Sequence, residues 1–169
     1  TITHLTFDNY FDKSVNNLPS SITHLTFSIY FNQHVDNLLS SITHLIFGFW
    51  FSQPLHHALV FCTSLTYIAF AYNFNYPLAN SLDNCTALTH IVFGNSFDQI
   101  TFDDSFNHPL ANSLDNCTKL THIVFGQNFN HPLANSLDNC TSLTHIVFGS
   151  DFSQPLGNSL DNCTALTHI

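Results

Sequence analysis

Basic residues are nearly missing from this chain. Lys13 and Lys119 are the only ones apart from histidine, against 11 acidic residues, all Asp, for a formal charge of −9 over 169 residues. Neutralising a phosphate backbone needs Lys and Arg, so this balance excludes nucleic acid as a partner. Charged residues of either sign make up only 8% of the chain, and methionine is absent. No run of eighteen apolar residues occurs, and no charged leader precedes a short apolar stretch at the start. These absences predict a soluble segment with no membrane partner and no visible targeting signal. Paired Cys-x-x-Cys units are missing too, which removes the metal-finger class.

What is present is repetition. Thr-His pairs stand at Thr3-His4, Thr23-His24, Thr43-His44, Thr89-His90, Thr121-His122, Thr144-His145 and Thr167-His168, with Thr66-Tyr67 filling the remaining slot. The intervals are 20, 20, 23, 23, 32, 23 and 23 residues, the period range of solenoids. The turns run approximately over 3–22, 23–42, 43–65, 66–88, 89–120, 121–143 and 144–166, with a partial turn at 167–169. The chain begins and stops in mid-motif, which predicts a single solenoid cut from a longer repeat protein.

Apolar residues in one later unit fall at Leu137, Cys140, Leu143, Ile146 and Phe148. Steps of three, three, three and two do not suit an amphipathic helix. They suit a short strand entered by an arc, with Ile146 and Phe148 inward and Val147 outward beside the Thr-His pair. Gly follows Phe47, Phe93, Phe125 and Phe148, where the chain turns off the sheet and a positive φ is expected. Pro at 54, 77, 109, 132 and 155 forbids a ladder hydrogen bond, so the far side of each turn is extended or at most one helical turn. A single turn cannot bury its own Phe and Leu. Stacking turns at the strand spacing of ~4.8 Å buries them in a continuous column, roughly 35 Å tall for seven turns. The 18 phenylalanines are then stacked core ladders.

The pieces Phe74-Asn75-Tyr76-Pro77, Phe106-Asn107-His108-Pro109 and Phe129-Asn130-His131-Pro132 resemble the FNIP repeat. So does Leu18-Pro19-Ser20-Ser21-Ile22-Thr23-His24-Leu25-Thr26-Phe27 followed by Phe31-Asn32-Gln33. The Asn-Cys-Thr-x-Leu-Thr-His-Ile stretches at 84–91, 116–123 and 139–146 are similar to the BspA-like class of leucine-rich repeats. These resemblances cover almost the whole chain. They imply a leucine-rich-repeat-like, right-handed, β-rich solenoid with one parallel sheet of short strands and little or no helix. They also imply a role in binding proteins or as surface structure, and FNIP repeats are known from amoebae and the giant viruses that infect them, often behind an F-box. No F-box lies in this sequence. Asp12-Lys13-Ser14-Val15 and His34-Val35 depart from Pro-Leu, so the first two turns are expected to be less regular on the convex side.

Cys62, Cys85, Cys117, Cys140 and Cys163 take one equivalent slot per turn. In-register parallel side chains do not supply a disulfide dihedral near 90°. The expectation is buried, reduced core thiols, which favour an intracellular, cytoplasmic setting over secretion, and the resemblance to FNIP repeats of giant viruses adds a virion-associated one. The same slots create the sequons Asn84-Cys85-Thr86, Asn116-Cys117-Thr118, Asn139-Cys140-Thr141 and Asn162-Cys163-Thr164, readable as glycan sites or as Asp-Asn bends whose amides form a ladder. The His column places His90, His122, His145 and His168, with Thr89, Thr121 and Thr144, on the strand face. Stacked imidazoles converge poorly on one ion, so a polar stripe is expected there and no metal. Ser, His and Asp recur with the repeat and surround no unique pocket, so no catalytic residue and no cofactor is assigned.

The 32-residue interval holds a nine-residue insertion near 98–106, in which Ile91-Val92-Phe93-Gly94 through Asp98 is echoed by Ile100-Thr101-Phe102-Asp103 through Asn107. It reads as a bulging loop or a second short strand, and either as a binding feature carrying Asp98, Asp103 and Asp104 or as a neutral slippage product. The function expected is a non-catalytic scaffold whose exposed strand face and insertion contact a protein partner. The alternative is a structural protein of a virion or cell surface that assembles through its solenoid turns.

Overall fold

A computed structural model describes residues 1–56, 58–94 and 105–169 of the chain. Among the described residues there are seven short strands and no helix: β1 His4–Thr6, β2 His24–Thr26, β3 His44–Ile46, β4 Tyr67–Phe70, β5 His90–Phe93, β6 His122–Val124 and β7 His145–Val147. All are parallel and form one sheet in chain order. The register steps by one repeat at every pair, His4 to His24 to His44 to Tyr67 to His90 to His122 to His145, and a bridge continues it to His168. A parallel-strand solenoid of this kind follows directly from the repeat. Identical side chains must share a slot if each turn is to cover the apolar face of the next.

The core is a set of columns running along the stack. Leu25, Leu45, Ile68, Ile91, Ile123 and Ile146 line the inner sheet face, each buried, and the Leu or Ile before each Thr forms a second column. Two Phe columns lie beside them. Within a turn the rings stack closely, as in Phe47 on Phe51 at 4.0 Å, and between turns they stay parallel, as in Phe47 to Phe70 at 5.8 Å. Val15 and Val35 fill the slot that Leu55 and Leu78 hold in later turns and are themselves buried, so the departures from Pro-Leu keep the core intact. Thiols at Cys62, Cys85, Cys117, Cys140 and Cys163 are all free and buried. Burial pushes Cys62, Cys117 and Cys140 up to about 12 and raises Cys85 and Cys163 as well.

Opposite the sheet, side chains take over the work of a hydrogen-bond ladder. The Asn of Phe-Asn-x-Pro accepts the backbone N–H of the next turn: Asn107 N–H donates to Asn75 Oδ1 at 3.1 Å, and Asn130 N–H to Asn107 Oδ1 at 3.0 Å. The residue after it reaches back one turn, with His108 Nε2 donating to the Asn75 carbonyl and His131 Nε2 to that of Asn107, both at 3.1 Å. Gln33 and Gln154 make the same backward reach, to Asp12 Oδ1 and Asn130 Oδ1. A second ladder uses the sequon residues. Asn84, Asn116 and Asn139 donate their side-chain amides to the carbonyls of Val60, Asp83 and Asp115 at 2.9, 3.0 and 3.1 Å. These three amides therefore hold adjacent turns together, as the bend reading of the sequons expects.

The glycines after the inward Phe serve two different needs. Gly94 has a positive φ of 89°. Gly48 and Gly149 do not. There a Cβ would sit 1.6 Å from the Ser28 carbonyl oxygen and 2.1 Å from that of Gly126, so the constraint is the closeness of the previous turn. The left-handed slot recurs elsewhere, at Ala79, Ala111, Ala134 and Gly157, with φ of 46°, 49°, 48° and 52°.

Candidate functional site

Each Thr-His pair sits where a strand begins, and its geometry is set by the turn before it. The backbone N–H groups of Thr23 and His24 both donate to the Thr3 carbonyl, and the pattern repeats up the stack through Thr167 and His168 onto Thr144. Threonine hydroxyls donate to the same carbonyls. Thr121 Oγ1 reaches the Thr89 carbonyl at 3.0 Å, Thr144 Oγ1 that of Thr121 at 3.0 Å, and Thr167 Oγ1 that of Thr144 at 3.1 Å. A hydroxyl has one proton to give. Each Thr Oγ1 also lies 2.8 Å from Nδ1 of the following histidine at His90, His122, His145 and His168, so the network assigns the proton of that contact to Nδ1. The neutral ring then carries its bare lone pair on Nε2, on the outward face of the sheet. His108 and His131, which donate from Nε2, hold the opposite tautomer.

The rings form two stacks. His4, His24 and His44 lie at centroid separations of 4.0 and 4.2 Å. His90, His122, His145 and His168 follow at 4.4, 4.4 and 4.2 Å, nearly parallel throughout. Tyr67 separates the stacks, 5.8 Å from His44 and tilted by 35° against His90. Parallel rings aim their Nε2 lone pairs in parallel, and among the described residues no group of three or more ligating side chains could hold a metal ion. Burial lowers the pKa of His24, His90, His122 and His145, and other histidines of the column lower it further, for His90 across the Tyr67 slot from His44. A charge on one ring opposes a charge on the next.

Two residues further along each strand the same face carries Thr6, Thr26, Ile46, Ala69, Val92, Val124 and Val147, an aliphatic column in the later turns beside the imidazoles. Thr89, Thr121 and Thr144 are half-buried and face the preceding turn, so they position the histidines more than they meet solvent. Asp98, Asp103 and Asp104, and most of the insertion near 98–106, lie outside the described residues. The Thr-to-carbonyl bond that sets the tautomer is not visible in any single repeat. Its one trace in the sequence is that Thr precedes every histidine of the column.

The comparisons with known proteins agree with this geometry. A model described as the FNIP repeat matches residues 14–49, and one described as a BspA-type leucine-rich repeat region matches residues 94–169 in six copies. No curated protein matches the chain. Nineteen chains of solved structures do. One is an internalin from Listeria monocytogenes, with a TM-score of 0.73 and 17% identity over 99% of this chain. The chain covers 46% of the length of that internalin, and at this identity the likeness is one of fold.

Proposed function

We propose, for a chain that is a solenoid of FNIP and BspA-type leucine-rich repeats, that it acts as a non-catalytic scaffold binding a protein partner through its exposed strand face. The observation that carries this reading is the outward face of the sheet. Nε2 acceptors repeat turn by turn next to the aliphatic Val92, Val124 and Val147, and no helix lies over them among the described residues. A polar stripe beside an apolar one suits a protein surface better than a reacting centre, since interfaces combine apolar anchors with hydrogen bonds. His90, His122, His145 and His168 are the contact residues of this reading, with Thr89, Thr121 and Thr144 behind them. Asp98, Asp103 and Asp104 of the insertion add an acidic contact. Five unpaired, buried thiols support a reducing compartment.

The test is crosslinking in the native cell, comparing the natural chain with Val124→Asp/Val147→Asp on the strand face and with Gln154→Ala on the opposite side. Loss of one defined partner from the strand-face variant alone is the expected result. Retention of every partner by that variant would remove the strand face from the reading. Regular oligomers of the purified chain, broken by the same two changes, would favour the assembly role.

A further inference from the structure

One surface lies apart from the strand face. Beside the Phe-Asn-x-Pro corners runs an open trough of about 460 Å³ lined by Asn75, Ser105, Asn107, Asn128, Asn130 and Asp151. Its volume is that of a small-molecule cleft. Its chemistry is unusual for this molecule, with four carboxamides, one hydroxyl, one carboxylate and no apolar lining residue. The two lysines of the chain, Lys13 and Lys119, are not among them, and neither is any histidine.

The direction of the amides follows from the turn ladder. Asn75, Asn107 and Asn130 commit Oδ1 to a backbone N–H of the next turn, Asn107, Asn130 and Ser153 respectively, at 3.1, 3.0 and 2.9 Å. Among the described residues their Nδ2 groups make no hydrogen bond, which leaves them able to donate to a ligand at the period of the stack, ~4.8 Å. Asn128 adds a carboxamide that bonds to no side chain among the described residues, and Asp151 adds a carboxylate that accepts from its neighbour Ser150 at 3.1 Å. Upstream on the same line stands Trp50, in the slot that Asn128 and Asp151 occupy in their own turns. It is 49% exposed and touched edge-on by Phe49 at 5.2 Å.

We propose that this trough binds a neutral, extended oligosaccharide. Periodic donors interleaved with acceptors match sugar hydroxyls, each of which both donates and accepts. An anionic ligand would meet Asp151 with no lysine or arginine to offset it, and among the six lining residues a protein partner would find none of the apolar or aromatic anchors that interfaces use at their centre. The indole of Trp50 supplies a ring for a sugar face at one end. A linear chain of sugars laid along the stack meets Asn75, then Ser105 and Asn107, then Asn128 and Asn130, then Asp151, turn by turn. This site is separate from the strand face, so either assignment can fail without the other.

The experiment is a nitrogen–proton correlation spectrum of the chain, following the side-chain NH2 signals and the fluorescence of the single tryptophan. The probes are cellohexaose, chitohexaose and mannohexaose, each to about 10 mM. At least one should move the Asn107, Asn128 and Asn130 amides with a Kd near ~1 mM, leaving the amides of Asn84, Asn116 and Asn139 in place. Asn128→Ala/Asp151→Ala leaves the side-chain bonds between turns intact, so it should keep the Tm and weaken that binding at least tenfold. The proposal is overturned if none of the three probes moves the trough amides, or if the double variant binds as the natural chain does. It is equally overturned if those amides answer only to peptides.

Discussion

Replacing Ala79, Ala111 and Ala134 by glycine should stabilise the chain. These three residues hold φ of 46°, 49° and 48°, in the left-handed region where a Cβ crowds the following carbonyl. That conformation costs a non-glycine residue about 1–2 kcal/mol. Glycine removes the cost but gives back roughly 0.5–1 kcal/mol through the larger freedom of its unfolded chain. The methyl groups are exposed, so no burial is lost with them. The net gain is about 0.5–1 kcal/mol per site, or about 2 kcal/mol for the triple variant if the sites add. For a chain of this length that corresponds to a Tm higher by roughly 4–8 °C, read by circular dichroism or calorimetry. The chain holds its own comparison. Gly157 fills the same slot at 52°, and a Cβ placed there would have nothing within 4 Å, so Gly157→Ala should lower the Tm by a similar single step. An unchanged or lower Tm for the triple variant would refute the assignment of strain to this slot.

Acidification should destabilise the stack. His24, His90, His122 and His145 have pKa values below the ordinary 6.5, so as pH falls past about 6.5 the unfolded chain takes up protons before the folded one and stability declines until the folded rings titrate. A Tm that is the same at pH 7.5 and pH 5 would contradict this. Gly48→Ala and Gly149→Ala should each cost about 1–3 kcal/mol, because the new Cβ meets backbone of the previous turn, and denaturant midpoints unchanged from the natural chain would show that the turns can part freely. The thiols should ignore a disulfide-exchange reagent in the folded protein at pH 8 and react, all five, in denaturant, since they are buried and three are held near 12. Rapid labelling of the native chain would mean the stack opens far more often than its packing suggests.

The architecture was legible because the repeat writes its register into the sequence. Once Thr-His marks the same point of every turn, Leu or Ile after His and Phe two places on must share columns, and they do. The alternation of Ile146 inward and Val147 outward needed only the geometry of a strand. Legibility ended where one turn acts on another. No single repeat says that a threonine hydroxyl donates to the carbonyl a turn earlier, or that Asn107 Oδ1 takes the N–H of Asn130, because the acceptor lies 23 or 32 residues away. The left-handed alanines were hidden for a different reason: alanine is a poor marker of positive φ. The available sign was Gly157 standing where Ala79, Ala111 and Ala134 stand. The glycines after Phe misled in the opposite sense, since Gly48 and Gly149 answer to crowding by a neighbouring turn.

The dependence of each histidine on the turn before it bears on how such a chain lengthens. The orientation of an imidazole and the site of its proton are dictated by the carbonyl of the preceding threonine, and its own threonine offers the same carbonyl to the next unit. A copied unit of 23 residues therefore arrives with its instructions already met on one side and already issued on the other. Gene duplication inside the array can extend the presented surface without any compensating change. The Tyr67 slot shows the counterpart: a unit can drop its imidazole and still pass the threonine link onward, from Thr43 through Thr66 to Thr89.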